Sequence, residues 1–184
     1  RGTLMRKRDR ITGRIAAKRA LQGLTGHEPK AFTIVSADSG EPQVLLQGQP
    51  TGARISISHR SGVAYATAVS DGRVGIDIEQ IERRATSFEN EWFNEEERQL
   101  TRGNATQITL GWSAKEAVLK ALGKGLALSP RDIVLTNMDN GKISVALKGE
   151  VAREHARLGG APIDISWALN GADQVFVQAR MTAA

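Results

Sequence analysis

Three carboxylates lie at spacings that suit a divalent cation. Asp77 and Glu79 are two residues apart in Gly75-Ile-Asp-Ile-Glu79, and alternate residues of a β-strand project to the same face. Two carboxylates this close repel each other unless a cation or a base lies between them. A third, Glu116, lies within an apolar helical pattern that begins at Trp112. Oxygen donors without a histidine suit Mg²⁺, so the set predicts a Mg²⁺ site; a solvated strand face is the alternative for Asp77 and Glu79.

Two basic side chains are candidates for contact with an anion. Lys120 follows Glu116 by one helical turn, so a simple surface ion pair is the alternative to a role in a site. His59 ends a predicted strand, just before Arg60-Ser-Gly62. A strand end beside a glycine turn and a second base predicts a phosphate contact, while a structural histidine is the alternative.

Composition and charge exclude several classes of protein. The chain has 184 residues, no cysteine and a net charge of +5; it therefore has neither disulfides nor a thiolate site, which suits a cytoplasmic protein. Without an apolar stretch near 18 residues it has no membrane span. Residues 1–20 carry eight basic residues and one acidic residue, whereas residues 77–97 carry eight carboxylates and two arginines. This division favours an anionic ligand with a cation, and it argues against nucleic acid.

Periodicity and turn residues place these side chains on predicted elements. Long helices are predicted at residues 5–23, 87–102 and 112–122, and a short one at 149–158. Strands are predicted at residues 32–37, 43–47, 54–58, 63–69, 74–81, 132–137, 142–147, 163–168 and 174–180. Turns are predicted at Asp38-Ser-Gly40 and Ser61-Gly62.

Short sequence strings recur in the same order in the two halves of the chain. The pairs are Ala17-Lys-x-Ala20 with Ala114-Lys-x-Ala117, Asp38-Ser-Gly40 with Asp139-Asn-Gly141, and Ile55-x-Ile-Ser58 with Ile163-x-Ile-Ser166. This echo predicts an α+β fold made of a pseudo-twofold pair of similar subdomains, residues 1–71 and 72–184. Each subdomain would pack a long helix on a small, mostly antiparallel sheet, with the active site in the cleft between them.

Two motifs together resemble the 4′-phosphopantetheinyl transferase superfamily. They are Gly75-Ile-Asp-Ile-Glu79 and, 33 residues later, Trp112-Ser-Ala-Lys-Glu-Ala-Val-Leu-Lys120 followed by Ala-Leu-Gly-Lys-Gly-Leu126. Ile57-Ser-His59 and Phe93-x-x-x-Glu97 also match. The similarity covers essentially the whole chain and is densest from 55 to 126. Length and the internal echo favour the single-chain, two-subdomain type, which activates surfactin synthetase, over the small trimeric type.

The resemblance implies transfer of the phosphopantetheine arm of coenzyme A to a serine of an apo acyl or peptidyl carrier protein, with release of adenosine 3′,5′-bisphosphate. It implies Mg²⁺ on Asp77, Glu79 and Glu116, and coenzyme A phosphates on His59, Ser58 and Lys120. Glu97 is the implied base for the serine proton, with Lys120 as its rival. Arg14 and Lys18 of the basic helix are candidates for the nucleotide end, and a solvated helix face is the alternative. A monomer suffices for one such site.

Two departures qualify the resemblance. The family often carries Gly-Lys-Pro near the nucleotide, where this chain has Gly40-Glu-Pro42. The chain also begins at Arg1 and not at a methionine. We interpret the chain as a domain of a larger polypeptide such as a polyketide synthase. Two other functions remain open: a Mg²⁺-dependent hydrolase of a nucleotide pyrophosphate, and a basic nucleic-acid-binding module whose binding falls steeply with salt.

Overall fold

The computed structural model describes residues 2–37, 40–60 and 62–182. Within these residues the helices are α1 (Gly2–Thr25), α2 (Thr86–Trp92), α3 (Glu95–Thr101), α4 (Ala105–Ala121) and α5 (Gly149–Arg157). The strands are β1 (Phe32–Ser36), β2 (Pro42–Leu46), β3 (Gln49–Pro50), β4 (Arg54–Arg60), β5 (Val63–Val69), β6 (Arg73–Gln80), β7 (Ile133–Asp139), β8 (Lys142–Leu147), β9 (Ile163–Asn170) and β10 (Gln174–Met181). None of the described helices combines the length and apolar character needed to cross a bilayer.

The second half of the chain is built on a five-stranded antiparallel sheet. Its strand order is β6-β10-β9-β8-β7, and α4 packs on β6 and β10. The inner face and the helix share one apolar cluster, which includes Leu119, Ile133 and Val177. Alternate residues of β10 are buried, as expected for a strand with one face on the core.

The first half repeats the element order of a long helix followed by two hairpins. Helix α1 packs on the β4–β5 hairpin, while β1, β2 and β3 form a separate small sheet. A second apolar cluster, which includes Leu21, Phe32 and Ile55, lies within this half. The mixed helix and antiparallel-sheet class is thus confirmed, whereas a twofold relation and the subdomain boundary at residue 71 stay predictions.

Two serine side chains join the halves. Ser56 Oγ accepts a hydrogen bond from the Ile76 amide at 3.0 Å, and Ser58 Oγ accepts one from the Ile78 amide at 3.2 Å. Both serines are buried. Because each step of two residues on β4 matches a step of two on β6, these strands run side by side in the same direction. Residues at matching positions of β4 and β6 therefore lie close together where the two halves of the chain meet.

Two helix predictions were wrong at their boundaries. The helix predicted at 87–102 is broken into α2 and α3 at Phe93, whose backbone is extended. Asn94 then caps α3, since its side chain accepts the Glu97 amide and Glu97 in turn accepts the Asn94 amide. Helix α4 begins seven residues earlier than predicted, where the Asn104 side chain accepts the Gln107 amide. The predicted turns at 38–40 and 61–62 fall partly outside the described residues.

Candidate active site

A close contact between β6 and α4 brings the predicted carboxylates together. A Cβ atom built on Gly75 would lie only 1.9 Å from the Ala117 carbonyl oxygen and 2.5 Å from the Ala121 amide nitrogen. Both obstacles are helix backbone, which cannot move aside alone. Glycine therefore lets the strand lie against the helix, and this places Asp77 and Glu79 of β6 beside Glu116 and Lys120 of α4.

We expect Gly75→Ala to destabilise the protein and to disrupt the site. Overpacking of a core costs about 1–3 kcal/mol and occasionally more, and the collision here is with backbone. Urea unfolding of the variant beside Gly52→Ala, at a glycine with open space around its Cβ position and no left-handed backbone, measures the effect. Equal stability losses in the two variants would contradict this account.

Asp77 is the centre of the cluster. It is only 2% exposed, and its Oδ1 accepts hydrogen bonds from Lys120 Nζ at 2.7 Å and from Ser58 Oγ at 3.1 Å. Its Oδ2 atom is buried without a hydrogen-bond partner among the described residues. A buried carboxylate oxygen without a partner costs free energy of folding. Asp77 Oδ2 is therefore suited to bind a cation.

Glu116 and Lys120 form the helix side of the cluster. Lys120 Nζ lies 3.6 Å from Glu116 Oε2, so the ammonium stands between Glu116 and Asp77. Burial raises the pKa of the Glu116 carboxyl, the Asp77 charge raises this pKa further, and Lys120 offsets part of the rise. The surface ion pair considered for these residues is thus part of a half-buried cluster.

We expect Glu116→Gln to stabilise the metal-free protein at neutral pH. A carboxyl whose pKa is raised on folding stabilises the fold below its unfolded pKa, and this contribution is lost as the pH rises through the folded value. Glutamine has no such loss, so the stability gain of the variant should grow between about pH 4 and pH 7. Urea unfolding in chelator-containing buffer across this range measures it. A gain that does not change with pH would contradict the raised pKa.

Glu79 is engaged by two arginines. Its Oε2 atom lies 3.4 Å from Arg60 Nη1 and 3.4 Å from Arg84 Nη2. Burial raises the pKa of the Glu79 carboxyl, and the two arginines offset part of that rise. Both guanidinium groups also contact Glu82. Glu79 Oε2 therefore has cationic partners within the chain, whereas Asp77 Oδ2 has no hydrogen-bond partner among the described residues.

The acidic side chains of the cluster fit the predicted Mg²⁺ only in part. Among the described residues, no group of three or more acidic or histidine side chains is arranged so that it could hold a metal ion. Asp77 fits Mg²⁺ because its Oδ2 is a buried oxygen without a partner among the described residues, and Glu116, on the other side of Lys120, would supply a second carboxylate. Mg²⁺ usually takes only one or two protein carboxylates and completes its shell with water and phosphate oxygens. A third ligand from Glu79 stays a prediction.

A cleft of about 600 Å³ opens beside the cluster. Lys120 belongs to both, since it lines the cleft and bonds Asp77. The cleft lies between α1, the β1–β2 hairpin, β4 and the end of α4. Its charged lining comprises seven basic residues (Arg10, Arg14, Arg54, His59, Arg73, Lys120, Lys124) and two acidic residues (Asp9, Glu41). The excess of basic groups suits an anionic ligand.

Only some of the predicted phosphate ligands line the cleft. His59 and Arg14 line the cleft with Lys120. Ser58 is buried behind the cluster, bonded to Asp77. Lys18 is not among the described residues that line the cleft, so its contact with the nucleotide stays a prediction. Sequence reasoning missed Arg54 and Arg73, although their positions at the first residues of two strands that carry the motifs offered a signal.

Glu97 occupies a structural position. It is 1% exposed, and its oxygens accept hydrogen bonds from the amides of Asn94 and Leu135 at 2.8 and 2.9 Å. Lys115, which has no exposed surface, pairs with it at 2.8 Å. Lys115 also donates to the Trp92 carbonyl at 2.9 Å. The prediction that Glu97 takes the serine proton does not fit this geometry, because each oxygen is already bonded and the residue is not part of the cleft.

Comparison with known proteins places the chain in a family. The model of the ACPS family, described as the 4′-phosphopantetheinyl transferase superfamily, matches residues 73–169, more than half of the chain. Fatty acid synthase subunit alpha of Candida albicans is 38% identical over 125 residues, and that of Schizosaccharomyces pombe is 33% identical over 108 residues. The matches cover 60% and 53% of this chain, and 6% of each of these relatives.

Solved structures show the same fold. The acyl carrier protein synthase of Plasmodium yoelii, solved with ADP bound, matches with a TM-score of 0.54 and 24% identity, over 62% of this chain and 96% of that one. The holo-[acyl-carrier-protein] synthase of Neisseria meningitidis matches with a TM-score of 0.50 and 21% identity, over 60% and 98%. More than a third of this chain thus lies outside the matched fold. Together with the motifs around Asp77 and Glu116, the family match shows that the chain belongs to the 4′-phosphopantetheinyl transferase superfamily.

Proposed function

We propose that this protein transfers the 4′-phosphopantetheine arm of coenzyme A to a serine of an apo acyl carrier protein and releases adenosine 3′,5′-bisphosphate. The observation that carries the proposal is the position of Lys120, which bonds Asp77 at 2.7 Å and also lines a basic cleft of about 600 Å³. A carboxylate cluster able to hold a divalent cation and a cleft suited to an anionic nucleotide thus meet at one side chain. Family membership supports the same reaction.

The chemistry is a displacement at phosphorus. The serine Oγ forms a bond to the phosphorus that carries the pantetheine arm, the bond from that phosphorus to the bridging oxygen breaks, and the serine loses its proton. Negative charge gathers on the departing bridging oxygen. Mg²⁺ on Asp77, Glu116 and, as predicted, Glu79 would neutralise this charge when bound.

In this proposal, the residues of the chain bind and orient the phosphates of coenzyme A. Lys120 places a positive charge between the carboxylates and the cleft, where a diphosphate would lie. His59 and Arg14, which line the same cleft, are assigned to the remaining phosphate contacts. Lys120 in this proposal is an ammonium that binds phosphate. An ammonium cannot accept a further proton, so the residue that receives the serine proton stays a prediction.

We also propose that the protein is a domain of a larger fatty acid synthase. The two curated relatives are fatty acid synthase alpha subunits of which the chain spans about 6%. These matches favour fatty acid synthesis over the polyketide synthase first considered. The carrier would then be the acyl carrier domain of the same assembly.

Analysis of the nucleotide and pantetheine products tests the transferase proposal. The purified chain is incubated with coenzyme A and Mg²⁺, with and without an apo acyl carrier protein, and the products are separated by chromatography. Adenosine 3′,5′-bisphosphate that forms only when the carrier is present is the expected result. Release of free phosphopantetheine without a carrier would instead establish the hydrolase and overturn the transferase.

A further inference from the structure

The hydroxyl of Ser58 has three polar neighbours in the carboxylate cluster. Its Oγ atom lies 3.1 Å from Asp77 Oδ1, 3.2 Å from the Ile78 amide nitrogen and 3.5 Å from Lys120 Nζ. A serine hydroxyl has one hydrogen to donate, and neither an amide N–H nor an ammonium can accept it. The Ser58 hydroxyl hydrogen is therefore directed at Asp77 Oδ1.

This bond decides which oxygen of Asp77 is left for a cation. Asp77 Oδ1 accepts hydrogen bonds from Ser58 and from Lys120, whereas Oδ2 is buried with no hydrogen-bond partner among the described residues. The terminal torsion of an aspartate side chain is broad and roughly two-fold, so the carboxylate keeps one orientation only when other groups hold it. Ser58 and Lys120 hold it with Oδ2 as the oxygen available to a cation.

Of these two groups, Ser58 is the one fixed by the fold. Its residue is 6% exposed, and its Oγ is tied to the backbone of Ile78, the residue after Asp77. The Lys120 side chain is 28% exposed and lines the cleft, where it would also bind a phosphate. Ser58 is not among the described residues that line the cleft. A phosphate that engages Lys120 thus leaves the bond from Ser58 to Asp77 in place.

We propose that Ser58 is a positioning residue for the metal site, whose hydroxyl fixes the Asp77 carboxylate so that Oδ2 binds the cation. The inference rests on the proposed function for the identity of that cation, Mg²⁺. Groups that hydrogen-bond to a metal ligand orient it, and their removal typically lowers metal affinity or activity about 10–100-fold. Because Ser58 lies on β4 and Asp77 on β6, the first half of the chain completes a metal site in the second half.

Ser56 provides a matched control on the same strand. It is 5% exposed, and its Oγ accepts the Ile76 amide at 3.0 Å, just as Ser58 Oγ accepts the Ile78 amide. Among the described residues, the Ser56 hydroxyl has no hydrogen bond to a carboxylate. Ser56→Ala and Ser58→Ala each leave one buried amide without its acceptor, so both should lower the unfolding temperature by similar amounts. The hydrogen bond to Asp77 is lost in Ser58→Ala alone.

Titration of the full chain with Mn²⁺ tests the proposal without requiring transfer. Mn²⁺ takes the same oxygen ligands as Mg²⁺, and the electron paramagnetic resonance signal of free Mn²⁺ reports how much is bound. Binding at the cluster is the part that Asp77→Asn removes, measured with and without coenzyme A. We expect Ser58→Ala to weaken this binding at least about tenfold, and Ser56→Ala to leave it within about twofold of the wild type.

A second pair of variants decides the question if Ser58→Ala is unfolded. Cysteine is close to serine in shape, but its thiol is a weaker hydrogen-bond donor. Ser58→Cys should therefore weaken Mn²⁺ binding relative to Ser56→Cys, and equal affinities in these two variants would overturn the proposal.

The outcomes separate this inference from the proposed function. Mn²⁺ affinity that is unchanged in folded Ser58→Ala, or lowered equally in Ser56→Ala, would overturn the positioning role, as would a wild type without Asp77-dependent binding. Weaker coenzyme A binding in Ser58→Ala at unchanged Mn²⁺ affinity would also overturn it, in favour of the phosphate contact that the family resemblance implies. Ser58-dependent Mn²⁺ binding by a wild type that modifies no carrier would retain the positioning role and remove the transferase proposal. Transfer by a wild type whose Mn²⁺ binding does not depend on Ser58 would do the reverse.

Discussion

Asp77→Asn is expected to abolish phosphopantetheine transfer while leaving the protein folded. The amide has the shape of the carboxylate but no charge, so it gives up the ion pair with Lys120 and the unpaired Oδ2 oxygen suited to a cation. Loss of several kcal/mol of electrostatic stabilisation corresponds to a fall in kcat/KM of about a thousandfold or more. The rate of carrier modification at limiting coenzyme A measures this change.

The control for Asp77→Asn is Asp164→Asn. Asp164 pairs with Lys142 in an exposed ion pair on β8 and β9, so the same chemical change occurs away from the cluster. Surface pairs of this kind contribute about 0–1 kcal/mol, and its activity should equal that of the wild type. Thermal unfolding of both variants shows whether the chains are folded. A folded Asp77→Asn variant with at least a tenth of wild-type activity would contradict the assignment of Asp77.

Lys115→Met is expected to cause the largest loss of stability. Lys115 has no exposed surface, pairs with Glu97 and bonds the Trp92 carbonyl. Removing it leaves the Glu97 charge buried without its cation, which costs about 3–5 kcal/mol when one partner of a buried pair is lost. The free energy of unfolding in urea measures this loss.

The Glu97→Gln variant and the double variant complete the test. In Lys115→Met/Glu97→Gln the uncompensated charge is gone, so part of the stability should return. Glu97→Gln alone should lower stability but leave kcat per folded molecule within a few-fold of wild type. A general base contributes about 10²–10⁴-fold, so a fall of that size in a fully folded Glu97→Gln variant would restore Glu97 as the base.

The central part of the site could be predicted from sequence because its residues lie in two short motifs. The alternation in Gly75-Ile-Asp-Ile-Glu79 indicated a strand with both carboxylates on one face, and β6 has this form. The spacing of Glu116 and Lys120 indicated one helical turn, which α4 shows. Local periodicity decides such positions, because each depends on residues within a few positions in the chain.

The role of Glu97 could not be predicted from the motif alone. Its partners Lys115 and Leu135 are distant in sequence, and only the packing of α3 against α4 and β7 brings them together. One local signal was present, since Asn94-x-x-Glu97 is the pattern of a capping box. That pattern would have placed a helix start at Asn94 and removed one carboxylate oxygen from consideration as a base.

The roles of Arg54 and Arg73 in the cleft could not be predicted from the sequence, for a different reason. Arg54 and Arg73 are single charges at strand starts, and many such residues are merely solvated. Their partner Glu41 lies on another hairpin, so its ion pairs with both arginines connect three elements that meet at the joint between the halves. The parallel course of β4 and β6 is marked by hydrogen bonds that the Ser56 and Ser58 hydroxyls accept from the Ile76 and Ile78 amides, and no alternation pattern reveals these bonds.

The most direct test of the account is the intact mass of an apo acyl carrier protein after incubation with this chain, coenzyme A and Mg²⁺. The account predicts a mass gain equal to one phosphopantetheine group. The gain should be lost with chelator and with Asp77→Asn, and it should persist with Asp164→Asn. An unmodified carrier, in a sample where the chain is folded and coenzyme A is bound, would contradict the transferase assignment.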